Sequence, residues 1–251
     1  MSRNRLESDI DWQADPPPVT SPIQIPDTLL WFDAFEINGA GNANPSNGAT
    51  VSTWVDKSAG ANNFTAIDPG ALPVYQANGF RGLPTVRIDS TMDGFEAPTG
   101  FASGSGGYTI FFVGQQLENN VGGFNAYLLD MSGTQRFLVW LNDDNSPGFY
   151  FQNAFQGGTA IQDAAERYAT WKFDQGNTPT AELRLNGVSS RTDANFVSST
   201  LDNPLRIGSR FAAEDVLNFD GFISEFLIYD RGLTAQEILQ VEEYLRIKWG
   251  F

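Results

Sequence analysis

The chain has 251 residues, no cysteine, no histidine and a formal net charge of −15. That excludes disulfides, thiolate chemistry, the usual zinc sites and any histidine-based general base. So acidic a body repels phosphate backbones and is not expected to bind nucleic acid.

Residues 1–27 are polar and acidic, and they carry Pro16, Pro17, Pro18, Pro22 and Pro26. That spacing favours extended, polyproline-like backbone over a packed element. It predicts an N-terminal arm at 1–27 ahead of a body at 28–251. Leu6, Ile10 and Trp12 are isolated apolar residues in this arm, suited to docking on a partner. The first residues lack an apolar export core, and no apolar run reaches the length of a membrane span.

From Thr28 onward, short apolar runs alternate with turn signals, the pattern of an all-β domain. Strands are expected at Thr28 to Phe35, Val51 to Val55 and Pro84 to Asp89. Tyr108 to Gln116 is long and apolar, as a strand buried on both faces would be. Further strands are expected at Phe124 to Asp130, Arg136 to Leu141, Gly148 to Gln152, Tyr168 to Asp174 and Thr180 to Asn186. Asn186-Gly187 predicts a tight hairpin, because a type I′ turn needs positive φ at both central positions. Leu205 to Ser209 and Gly221 to Tyr229 bring the total to ten to thirteen strands. Thr234-Ala235-Gln236-Glu237 is a capping box that opens one helix. Ile238, Val241, Leu245 and Trp249 form its apolar face, with Glu242, Glu243, Arg246 and Lys248 placed elsewhere.

The segment from Trp54 to Asn63 (WVDKSAGANN) resembles the W-x-D-x-S-G-x-G-x-N turn of laminin-G-like, concanavalin A-like modules. Pro73, Asn78-Gly79, Gly82-Leu83-Pro84 and Val86 to Asp89 resemble the strand entry that follows it. Phe219 to Tyr229, then Arg231-Gly232-Leu233-Thr234 and the capped helix, resemble the family's closing segment. The resemblance covers residues 28–251 and implies a two-sheet antiparallel jelly-roll sandwich with one short C-terminal helix. It implies a module that binds glycans or proteins, sometimes through calcium at a rim, of the kind found in bacterial surface proteins and phage particles.

Glucanases of this superfamily carry a Glu-x-Asp-x-x-Glu strand, which is missing here. Glu225 has no carboxylate two residues away in its strand. No catalytic residue is therefore assigned, and a carboxylate-based glycoside hydrolase is the weakest reading. For a hard cation, the Asn142 to Asn145 loop is the densest oxygen cluster. Asp143, Asp144 and Asn145 are its candidate calcium ligands, although Asp and Asn also populate turns for backbone reasons. Asp89 with Asp93, and Asp215 with Asp220, are secondary clusters. Trp140, Asn142, Tyr150 and Gln152 combine aromatic faces with amides, as sugar contacts do. Trp31 and Trp54 are expected in the core.

The reading preferred from sequence is a non-catalytic virion surface component, a capsid decoration or fibre protein, attached through its arm to other virion proteins. The alternative is a carbohydrate-binding module at a cell surface or outside the cell. No cofactor is required in either, calcium is the one ion the loops suit, and the arm is compatible with an oligomer.

Overall fold

The computed structural model describes residues 19–89, 93–99, 101, 107–117, 127–131, 137–143, 146–151, 154–157, 167–174, 180–193, 205–210 and 218–251. Within 137–157 only the backbone is described, Val139 excepted. The arm residues Leu6, Ile10 and Trp12 lie outside the described residues, as do Asp144, Asn145, Gln152 and Asp215.

Two antiparallel sheets make the sandwich. The first is built from β1 (Thr28–Asp33), β4 (Val74–Phe80), β5 (Leu83–Asp89), β7 (Gly107–Gln116), β12 (Arg167–Asp174), β13 (Thr180–Leu185), β14 (Val188–Asp193) and β16 (Asp220–Tyr229). The second contains β2 (Thr53–Trp54), β3 (Phe64–Ala66), β6 (Phe95–Glu96), β8 (Tyr127–Met131), β9 (Phe137–Asp143), β10 (Ser146–Phe151), β11 (Ala154–Gly157) and β15 (Leu205–Ile207). The first sheet runs β14-β13-β12-β7-β16-β5-β4, and β1 pairs with the far half of β16. The second runs β11-β10-β9-β8-β15-β6-β3-β2.

β16 explains how one edge accepts two neighbours. Residues 220–223 pair with β5, and residues 225–229 pair with β1. The register slips between Ile223 and Glu225 against β7, which leaves Ser224 as the extra residue of a bulge. The bulge bends the strand where β5 hands over to β1. β7 beside it is buried along its length except at Gln115, as its unbroken apolar run predicts.

The inner faces meet in an aromatic-rich core. Phe32 packs on Trp54 and Phe64, and Trp54 meets Phe95, with ring centroids 4.9–5.6 Å apart. Each such side chain contributes about 1.5–3 kcal/mol through burial. Trp31 and Trp54 are both buried, as the sequence predicts.

The helix α1 (Ala235–Trp249) lies on the outer face of the first sheet. Its capping box is formed at both ends: the Thr234 hydroxyl accepts the Glu237 N–H, and the Glu237 carboxylate accepts the Thr234 N–H. Arg231 adds two bonds to Glu237, and these hold that carboxyl down at about 2. Ile238, Val241, Leu245 and Trp249 are buried, as expected. Glu242 departs from the sequence reading, for it is buried with them. It lies about 40° from Ile238 around the helix, above β12 and β13. There Thr170 Oγ1 and Arg184 Nε both donate to Glu242 Oε1 at 2.9 Å.

Residues 19–27, which the sequence assigns to the arm, pack on the body. Pro22 and Ile25 are buried, the Tyr229 hydroxyl donates to the Pro22 carbonyl, and Asp230 N–H donates to the Asp27 carbonyl.

Candidate functional site

The motif turn at 54–63 is a backbone staple. Asp56 Oδ1 accepts the N–H groups of Trp31 and Ser58, both at 2.9 Å. Its Oδ2 accepts the Ser58 hydroxyl at 2.7 Å and the Asn62 N–H at 2.8 Å. Asn63 Oδ1 answers by accepting the Asp56 N–H. Both oxygens of this buried carboxylate are thereby occupied, and the turn is tied to β1 across the fold.

Two carboxylates do meet in space. Asp33 and Glu225 stand opposite each other where β1 pairs with β16. Lys248 donates to both at 2.9 Å, and Lys57 donates to Asp33 at 2.7 Å and also pairs with Glu36. Glu225 further accepts from the indoles of Trp31 and Trp249 and from the Tyr244 hydroxyl. Burial drives Glu225 upward from the ordinary carboxylate range against the pull of Lys248. Burial acts on Asp33 as well, but Lys248 and Lys57 outweigh it and hold that group low. Glu225 is wholly inaccessible and Asp33 nearly so. The cluster is a buried ion-pair lock between β1, β16 and α1, with no room for a substrate between Asp33 and Glu225.

The described members of the Asp/Asn clusters singled out in the sequence, Asp89, Asp93, Asp220, Asn142 and Asp143, come to one end of the sandwich. Asp89 stands opposite Asp220 in the β5–β16 ladder. Asp93 reaches back, and both its carboxylate oxygens accept the Asp89 N–H. Burial, helped by the charge of Asp89, pushes Asp93 up to about 7 against that backbone bond. Arg87 pairs with Asp220 at 2.5 Å and lies over the Phe222 ring. Two residues before Asp220, Asn218 bridges to Tyr127 of β8, which stands opposite Trp140 of β9. Asn218 Oδ1 accepts the Ser209 hydroxyl and the Arg210 N–H, and the Arg210 guanidinium lies over the Tyr127 ring. β9 then runs on through Asn142 to Asp143, which stands opposite Ser146 of β10 at this same end. The rim therefore joins, among the described residues, segments 87–89, 93, 127, 140–143, 146, 209–210 and 218–222.

A polar row crosses the second sheet beside this rim. Thr65, Glu96, Arg206 and Asp130 are successive ladder partners, and Arg206 donates to Glu96 at 2.7 Å and to the Arg210 carbonyl at 3.0 Å. By register the row continues through Leu138, Tyr150 and Phe155. A groove of about 290 Å³ opens at its β3–β6 end, lined by Thr65, Ala66, Ile67, Glu96, Pro98 and Thr99. Trp140 and Tyr150 thus fall on adjacent strands, as the sequence predicts. The positions that sequence reading passed over are Arg87, Arg206, Arg210 and Asn218. Among the described residues, no three acidic side chains converge closely enough to hold a metal.

Among the described residues, two eight-stranded sheets with a helix backing one of them define a lectin-like sandwich. The family model for the concanavalin A-like lectin/glucanases superfamily matches residues 86–239, more than half of the chain, and the protein belongs to that family. Among curated proteins, none matches the sequence. Solved structures share the fold at low identity. The binding domain of Paraclostridial Mosquitocidal Protein 1 superposes with a TM-score of 0.60 at 14% identity, over 85% of this chain and 52% of that one. Domain 4 of AbnA, an extracellular arabinanase from Geobacillus stearothermophilus in complex with arabinotriose, gives 0.51 at 16%, over 87% and 98%. Trypanosoma rangeli sialidase in complex with the inhibitor DANA gives 0.55 at 11%, over 85% and 32%. The chain thus spans about half of the mosquitocidal structure and a third of the sialidase.

Proposed function

We propose that the protein is a non-catalytic carbohydrate-binding module whose sugar site is the rim and the adjoining polar row of the second sheet. One observation carries this reading: within a lectin-superfamily sandwich, dispersed Asp, Asn and Arg side chains gather at one end beside aromatic rings. Sugars present hydroxyl edges to carboxylates and amides and a C–H face to aromatic rings. The solved neighbours described as a binding domain and as an arabinotriose complex support recognition over the virion role preferred from sequence. Calcium, if used, would be held by the oxygens of the same rim. Attachment to other proteins through the arm is the reading a negative result would favour.

The test is a glycan array probed with purified protein in calcium and again in EDTA. Selective binding that Arg206→Ala abolishes, in a variant that remains folded, is expected. Absence of binding to any glycan in both conditions would overturn the proposal.

A further inference from the structure

A second cleft lies on the helix side of the first sheet, where the end of α1 meets two hairpin turns. Arg81-Gly82 joins β4 to β5 with φ of 51° and 75°, and Phe80 stands opposite Leu83. Asn186-Gly187 joins β13 to β14 with φ of 47° and 80°. Both pairs of angles are those of type I′ turns. Asparagine-glycine suits such a turn, but arginine carries a Cβ into left-handed space and does so at a cost. Arg81 occupies that strained position with its guanidinium 4.8 Å above the Phe251 ring.

Between the turns is a cleft of about 420 Å³, lined by Arg81, Tyr168, Asn186, Arg246 and Phe251. Its volume falls within the range of small-ligand sites. Phe251 meets Tyr168 edge to face at 5.3 Å, giving the cleft an aromatic wall. The polar groups are mostly donors. Arg246 gives Nε and Nη2 to Glu243 and Nη1 to the Phe251 carbonyl, and each Nη keeps a second hydrogen. Asn186 uses its Oδ1 to accept the Tyr168 N–H, which leaves its Nδ2 to donate.

A wall that donates this heavily, with two guanidiniums on a chain of net charge −15, fits a ligand rich in acceptors. We infer that this cleft is a second binding site, for a saccharide carrying a carboxylate, a uronic-acid unit in the simplest case. The carboxylate faces Arg81 and Arg246, and the ring lies against the aromatic wall. This site shares no residue with the rim and does not depend on it.

The experiment is calorimetric titration of the full chain with a galacturonic-acid trimer and, separately, with its methyl ester, which keeps the shape and loses the charge. The acid should bind at least about tenfold tighter than the ester, the weight of one charge-assisted hydrogen bond. Arg81→Asn removes the guanidinium while giving the I′ turn a residue it favours, so the variant keeps its fold. It should weaken the acid by at least the same factor, with Arg81→Lys intermediate and Arg206→Ala unchanged. Equal binding of acid and ester, no binding of either, or wild-type affinity in Arg81→Asn would overturn the inference. Loss of acid binding in Arg206→Ala would place the carboxylate at the rim instead and overturn it too.

Discussion

Replacing Asp56 by Ala isolates the part the family turn plays. The substitution removes both acceptor oxygens and leaves the N–H groups of Trp31, Ser58 and Asn62 without their partner, together with the Ser58 hydroxyl. An orphaned buried donor costs about 1–3 kcal/mol. The Trp31 and Ser58 groups are fully buried, while Asn62 can turn to water. The expected loss is therefore about 3–5 kcal/mol. For a chain of this size that corresponds to a melting temperature lower by roughly 10 °C. Urea unfolding should show a lower midpoint with an unchanged slope, because the surface exposed on unfolding is the same. Asp56→Asn keeps one acceptor and should fall between Ala and wild type. Neither variant should respond to calcium or EDTA differently from wild type. A loss below about 1 kcal/mol would refute the staple, and a calcium-dependent loss would mark Asp56 as a ligand instead.

Lys248→Met should be as severe, at about 3–5 kcal/mol by chemical denaturation, because it leaves Glu225 buried without its cation; an unchanged midpoint would show that Glu225 is neutral in the fold. Asp93 gives a pH signature. Its folded value of about 7 lies above the unfolded one near 4, so its contribution is complete below pH 4 and is lost as pH rises through 7. Thermal melts across that window should decline by on the order of 2 kcal/mol, about half of what the shift would give without solvent screening. Asp93→Asn, which keeps an acceptor for the Asp89 N–H, should flatten the decline.

Elements whose signals are local could be read from the sequence. Asn186-Gly187, the Thr234 capping box and the apolar run of β7 each carry their own reason within a few residues. β4 did not, since VYQANGF lacks clean alternation and its turn is Arg81-Gly82, where arginine gives no hint of positive φ. The very short β3 and β6 exist through their neighbours. The same division holds at the site. Asp89 with Asp93 was visible as a pair, but its union with Asp220 depends on ladder register across 131 residues of chain. The Asp33–Glu225–Lys57–Lys248 lock draws on four distant segments, and nothing local marks any of its members. Glu242 looks solvent-facing by its charge but buried by its helical angle, and its partners Thr170 and Arg184 become evident only once α1 lies on the sheet.

The position of β16 bears on how the protein is made. It is a central strand of the first sheet, yet it follows in the chain all three of its partners, β1, β5 and β7. A ribosome releases those three strands with a gap between them that only residues 220–229 can fill, and the lock on Glu225 waits further for α1. Until then, apolar strand edges stand open to one another and to other chains. Folding of the first sheet is therefore expected to wait until residues 220–229 are available, and deleting them should abolish it.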